Sequence, residues 1–165
     1  MKVPLRASSR SKARPDRGAS CSEQPVVRRL VLQARQVGPR LHHPLAEVID
    51  LGGRSIELKS PCLTLAGESA PSPGITLTNG EFHISTHDVI VRHLRIRSGA
   101  GNHAKGSGWE VDGLSTGEGA HDVIVDHCSL AWATDENLSA SGPQFRGKTP
   151  DEWRQNTSHR VTFSH

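Results

Sequence analysis

The sequence has few of the residues that build large aromatic cores or membrane spans. It contains no tyrosine, one methionine, three phenylalanines and three tryptophans in 165 residues, and 34% of its residues are apolar. No run approaches the roughly 18 apolar residues that a membrane-spanning helix needs. The charged N-terminus, MKVPLRASSRSKARPDRG, also lacks the apolar stretch of a signal peptide. We therefore expect no membrane partner, and no signal peptide is visible.

Cysteine is also scarce. Cys21, Cys62 and Cys128 show no CxxC spacing, and an odd number makes no complete disulfide framework. His127 and Cys128 are adjacent, but neighbours on a strand face opposite sides, which disfavours a shared zinc ion. The cysteine pattern therefore does not decide whether the compartment is oxidising or reducing.

Charge is unevenly distributed along the chain. Residues 1–40 hold ten lysines and arginines against two acids, whereas residues 41–165 hold ten against fifteen. A basic arm can bind nucleic acid, but arginine-, serine- and proline-rich tails are more often disordered. We expect a disordered basic leader over residues 1–25 and no nucleic-acid function.

The remaining chain divides into two segments. Residues 26–36 place apolar side chains at helical spacing, so residues 26–47 are predicted to be irregular with a short capping helix. From residue 48 to residue 165 short alternating runs are separated by glycine, proline, serine and asparagine, a pattern typical of short β-strands.

An internal repeat decides the architecture. HDVIVRHLRI begins at His87 and returns as HDVIVDHCSL at His121 and in part as HRVTFSH at His159, at offsets of 34 and 38 residues. A solenoid explains this interval, because each coil presents the same strand to its predecessor and buries the same apolar columns. In such a stack His93, His127 and His165 share a column after the strand, where they are predicted to form a structural ladder with a spacing of about 4.8 Å.

Three segments then resemble the pectate lyases of polysaccharide lyase family one. They are residues 49–77, residues 87–99 and residues 109–136, and the most specific motif is Asp112 followed by Ile124-Val125-Asp126-His127. The resemblance implies an all-β fold, a right-handed parallel β-helix of the pectin-lyase-like kind, over residues 48–165. It also implies a secreted enzyme that cleaves pectate or polygalacturonate by β-elimination with Ca²⁺ as cofactor.

The resemblance assigns metal ligands residue by residue. Asp112 matches a family calcium acid, and Glu110 matches a second acid two positions earlier. Asp135 matches the first of two downstream acids, but Ser139 stands where the second is expected, so Glu136 is the substitute. No arginine of this chain matches the family's catalytic arginine, which lies in a later coil, so no catalytic residue is nominated. We expect an inactive N-terminal portion, truncated at its C-terminus and able to self-associate through its open last coil.

The residues are also compatible with two other functions. One is a non-catalytic β-helix that binds calcium or acidic glycans, which Ser139 and the unmatched arginine favour. The other is a different β-helix carbohydrate-active enzyme, such as a glycoside hydrolase with Asp135 and Glu136 as its paired carboxylates.

Overall fold

The recurring histidine-led segments form strands that lie side by side. His87 pairs with His121 and Val89 with Val123, and His159 in turn pairs with His121, all in parallel register. The computed structural model describes residues 48–101, 103–104, 106–141 and 147–165. The predicted leader of residues 1–25 and the predicted helix of residues 26–36 lie outside these ranges.

Short strands dominate the described chain. In chain order they are β1 (Val48–Asp50), β2 (Ile56–Leu58), β3 (Leu63–Ala66), β4 (Ile75–Thr78), β5 (Phe82–Ile84), β6 (His87–Arg92), β7 (Leu94–Arg97), β8 (Leu114–Thr116), β9 (His121–Asp126), β10 (Ser129–Ala131), β11 (Leu138–Ala140) and β12 (His159–Ser164), with a 3₁₀ turn at Gly67–Ser69 and a helix, α1, at Pro150–Asn156.

The strands form three parallel sheets. The first sheet has the order β1-β4-β7-β10, the second β2-β5-β8-β11 and the third β3-β6-β9-β12. Every neighbour in a sheet is three strands away in the chain, so each coil adds one strand to each sheet. This is a parallel β-helix, and the fold class predicted from the repeat and the resemblance is confirmed.

Inward-facing columns make the core. Val89 and Val123 are fully buried neighbours in the third sheet, and Val91 stacks in the same way on Val125. Burying each of these side chains contributes about 1.5–3 kcal/mol. The intervening column faces outward, and Ile124 is 39% exposed. The alternation follows from the two-residue period of a strand, so only stacked coils can cover the inner columns.

A left-handed residue turns the chain from the third sheet to the first. His93 alone separates β6 from β7 and has φ 54°, and its equivalent His127 has φ 50°. Histidine tolerates this region better than β-branched residues do. The bend therefore places His93 and His127 in the same exposed column, while the corresponding residue after β3 is Gly67.

Helix α1 was not predicted. Thr149 accepts a hydrogen bond from the Glu152 backbone N–H at 3.2 Å, and Pro150 occupies the first turn, where a missing N–H costs nothing. The order Thr-Pro-Asp-Glu therefore was a readable helix-start signal. Within the described residues no helix is long and apolar enough to cross a membrane.

Candidate metal centre

Three predicted acids converge at the start of two neighbouring strands. Asp112 lies just before β8, while Asp135 and Glu136 lie just before β11, the next strand of the second sheet. Stacking of successive coils brings these loops together, and carboxylate oxygens of the three residues lie within 4.8 Å of one another. Asp135 and Glu136 can point the same way because they lie in a loop, not on a strand.

Backbone contacts hold the two loops in register. Gly113 N–H donates to the Glu136 carbonyl at 2.9 Å, and Leu114 N–H donates to the Asn137 carbonyl at 3.1 Å. A Cβ atom at Gly113 would lie 2.3 Å from the Asn137 carbonyl oxygen, far inside van der Waals contact. Glycine at this position therefore permits the close approach that assembles the cluster.

Asp112 is the ordered centre of the group. The Ser139 hydroxyl donates to its Oδ2 at 2.5 Å, and the Glu136 backbone N–H donates to its Oδ1 at 3.2 Å. Asp112 is half-buried, whereas Asp135 and Glu136 are exposed. Ser139, which stands in the place expected for a fourth acid, thus orients Asp112 from the neighbouring coil.

The crowding of like charges affects Glu136 most. Its pKa is raised, first by a hydrogen bond that its protonated form makes with Asp112, and then by the negative charge of Asp135. A bound cation would offset this repulsion and favour the ionised carboxylate.

The donor set fits a calcium ion. Calcium takes oxygen ligands at about 2.3–2.6 Å, so oxygens on opposite sides of one ion are about 5 Å apart. The three carboxylates meet that limit, and all their donor atoms are hard oxygens. Glu110, the fourth predicted ligand, is exposed and does not belong to the group of acids that lie within 4.8 Å of one another.

A polar network continues from the cluster across the second sheet. Ser139 pairs in register with Ser115, and Ser115 with His83. The Ser115 hydroxyl donates to Glu81 at 2.7 Å and lies 2.7 Å from His83 Nδ1. Sequence reasoning missed this network, because β5 and β8 share no recognisable repeat.

The predicted histidine column lies elsewhere, beyond the third sheet. The rings of His93 and His127 stack with centroids 5.1 Å apart and planes 30° apart, while His127 and His165 are tilted by 41° at 6.0 Å. The structure also contains a second column, which sequence reasoning missed. His87 and His121 stack at 4.8 Å, and His121 and His159 at 5.0 Å. Their shared place at the head of each repeat was the available signal.

Comparison with known proteins supports the resemblance. A protein named probable pectate lyase C from Emericella nidulans is 36% identical over 96 residues, a segment that covers 58% of this chain and 21% of that relative. Relatives of the same name from Aspergillus flavus and Aspergillus fumigatus are 36% and 38% identical over 96 residues, with the same coverage. The aligned segment spans about a fifth of these relatives. No family model and no solved structure matches the chain. The predicted resemblance to pectate lyases is confirmed.

Proposed function

We propose that this chain supplies the calcium- and polyuronate-binding part of a pectate lyase that cleaves pectate or polygalacturonate by β-elimination. The observation that carries the proposal is the convergence of Asp112 and Asp135, which match calcium acids of the family, with Glu136, the substitute for the acid that Ser139 replaces. The relatives' printed name gives the substrate class.

The residues of the cluster have distinct roles in this proposal. Calcium, when bound, draws charge from the substrate carboxylate and makes the hydrogen on the adjacent ring carbon easier to remove. Asp112 is the fixed ligand, because Ser139 and the Glu136 backbone N–H both orient its oxygens. Asp135 and Glu136 are exposed, so they supply oxygens that a large, partly hydrated ion reaches from solvent.

The proton acceptor is not assigned to the described residues. Arg92 pairs with Glu68, and Arg160 pairs with Asp122 at 2.5 Å. Arg154 pairs with Asp151 on α1, at 2.6 Å. None of these three guanidinium groups contacts the acidic cluster. Because no arginine of the chain matches the family's catalytic arginine, we expect the chain to bind the polyuronate and calcium without cleaving, since binding alone does not remove a proton.

The non-catalytic alternative rests on one observation. Ser139 replaces an acid and donates its hydroxyl to Asp112, so the site has three carboxylates in place of four. This arrangement suits weak calcium and acidic-glycan binding without turnover. The glycoside-hydrolase alternative gains less. Carboxylates within 4.8 Å of one another are closer than the acid and base of an inverting hydrolase, and the two-carboxylate arrangement of a retaining hydrolase gives the third acid no role.

An extracellular location is part of the proposal. The relatives' printed name, pectate lyase, gives a polysaccharide substrate, and calcium sites of millimolar affinity are filled outside cells. The structure adds that Cys62 is disulfide-bonded, which suits an oxidising compartment.

Calcium titration of matched variants tests the proposal. We expect wild-type protein to bind calcium with a Kd on the order of 10⁻⁴–10⁻³ M, and Asp112→Ala to lose binding because the ordered ligand is gone. Asp151→Ala, which removes an exposed carboxylate on α1, is the control and should bind as wild type does. Equal calorimetric heats from Asp112→Ala and wild type would remove the assignment.

Activity is measured separately. β-Elimination creates an unsaturated uronate that absorbs in the ultraviolet, so polygalacturonate with calcium gives a direct assay. Steady absorbance growth from the purified chain would show that a base lies among the present residues, and would contradict the expectation of binding without cleavage.

A further inference from the structure

An exposed tryptophan lies next to the acidic cluster in the chain. Trp132 follows β10 directly and precedes Asp135 by three residues, which limits their Cα separation to about 11 Å. It is 72% exposed, the highest value among the exposed large apolar residues of the described chain. An indole left in water at this place is available to a ligand.

The backbone fixes the base of this side chain. Trp132 has φ 69°, in the left-handed region that a bulky residue seldom adopts. Its carbonyl accepts a hydrogen bond from Gly99 N–H at 2.8 Å. The backbone of Trp132 is therefore held by the preceding coil while its ring is exposed to solvent.

An arginine covers the ring. The guanidinium carbon of Arg97 lies 5.8 Å from the centroid of the Trp132 ring, within cation–π range. Its Nη1 donates to the Ser129 carbonyl at 2.6 Å, and its Nη2 donates to the Ser129 hydroxyl at 2.8 Å. Neutral oxygens thus hold the guanidinium in place, and among the described residues Arg97 makes no ion pair.

The other tryptophans are occupied by intramolecular contacts. Trp109 stacks on His103 with centroids 4.1 Å apart, and Trp153 donates its indole N–H to the Gly147 carbonyl at 2.9 Å. Both are half-buried. Trp132 therefore differs from them in presenting its ring to solvent beside a cation that no carboxylate neutralises.

We propose that Trp132 and Arg97 form a second sugar subsite, in which the indole stacks on the pyranose ring of a uronate and the guanidinium pairs with that sugar's carboxylate. The inference rests on the proposed function and extends it along the polymer. An aromatic face suits the C–H side of a sugar ring, and arginine suits a carboxylate because its N–H groups match both oxygens. The acidic cluster repels a polyuronate unless calcium is bound, so the fixed cation supplies attraction that does not depend on the metal.

Binding of oligogalacturonates to the full chain tests the subsite. We expect Trp132→Ala and Arg97→Gln each to weaken binding of a hexamer about tenfold, by the loss of one stacking or one charge-assisted contact. Trp132→Phe should retain part of the affinity, since it keeps an aromatic face. Phe163→Ala, which removes an aromatic residue that is 41% exposed on β12, is the matched control and should bind as wild type does.

A second ligand separates stacking from charge recognition. A hexamer whose carboxylates are methyl-esterified should bind wild type and Arg97→Gln with similar affinity. Trp132→Ala should weaken binding of both the esterified and the unesterified hexamer. Calcium titration without sugar should give the same Kd for all these variants, and circular dichroism should show that each one folds.

The outcomes distinguish the two proposals. If Asp112→Ala abolishes calcium binding while Trp132→Ala binds the hexamer as wild type does, the subsite is wrong and the metal site stands. If Trp132→Ala loses the hexamer but calcium binds Asp112→Ala unchanged, the subsite stands and the calcium assignment fails. Absence of hexamer binding by wild type overturns the subsite.

Discussion

Replacing Gly113 by alanine is the sharpest test of how the candidate metal centre is assembled. The new Cβ atom would lie 2.3 Å from the Asn137 carbonyl oxygen and 3.1 Å from its carbon. Both are backbone atoms of the neighbouring coil, so no side-chain rotation relieves the clash. The two loops that carry Asp112 and Glu136 must therefore move apart.

The cost follows from two contributions. Forcing extra volume into a packed contact costs about 1–3 kcal/mol. Separation also stretches the hydrogen bonds from Gly113 N–H to Glu136 and from Leu114 N–H to Asn137, each of which contributes about 0.5–1.5 kcal/mol. We expect Gly113→Ala to lower the free energy of unfolding by about 2–6 kcal/mol and to weaken calcium binding.

Denaturant unfolding and calcium titration are measured on the same samples. Gly106→Ala is the control, because a Cβ atom at Gly106 meets nothing within 4 Å and only its left-handed backbone, at φ 80°, is strained. The free energy of unfolding of Gly106→Ala should fall by about 1–2 kcal/mol, and its calcium affinity should equal that of wild type. A Gly113→Ala protein that unfolds within about 0.5 kcal/mol of wild type would show that the coils are not packed as described.

Three further predictions follow from burial and charge. Val123→Ala should lower the free energy of unfolding, measured with denaturant, by about 2 kcal/mol. Ile124 lies on the outer face and is 39% exposed, so Ile124→Ala should stay within about 0.5 kcal/mol of wild type. Similar losses from both variants would contradict the inward assignment of Val123. Because neighbouring acids raise the pKa of Glu136, calcium affinity should fall as pH is lowered through that pKa, and Glu136→Gln should flatten the profile. Without metal, the free energy of unfolding should change with pH in the opposite direction. Ionised Glu136 opposes folding, so the free energy of unfolding should rise as pH falls through the raised pKa of Glu136 towards 4.5, its ordinary value. Burial raises the pKa of the Cys128 thiol, so labelling at neutral pH should be slow until guanidinium unfolds the chain; rapid native labelling would show that the thiol is not packed on the core.

The third sheet was the most predictable part of the fold. Its register repeats the sequence column by column, from Val89 to Val123 to Val161, because a coil that stacks on its neighbour needs the same apolar side chain at the same place. The same columns predicted where His93 and His127 lie. The first sheet shares only the end of this repeat, where Leu94 corresponds to Cys128. The second sheet lacks it, so the pairing of that sheet followed only from the resemblance and from the structure.

The polar network of Glu81, His83 and Ser115 had no readable signal. The hydrogen bonds join residues 32 and 34 positions apart, on or directly before strands of three residues each. Residues 98–113 separate β7 from β8, whereas residues 79–81 separate β4 from β5, and this difference in length removes any fixed offset between coils. Strands of this length also carry too few side chains for alternation to decide which of them face solvent.

The strongest sequence signal and the candidate chemistry therefore come from different parts of each coil. Packing demands repetition, so the strands of the third sheet resemble one another and identify the architecture. Binding a metal and a sugar demands side chains that interrupt this repetition, and Asp112, Trp132 and Asp135 all lie in the loops of residues 98–113 and 132–137 that lead into the second sheet. A change in those loops, or at a neighbouring strand position such as Ser139, whose hydroxyl contacts Asp112, can alter the ligand set while every stacked valine stays in place. Fold and chemistry in this chain can thus diverge independently, which is why the calcium and sugar assignments need tests of their own.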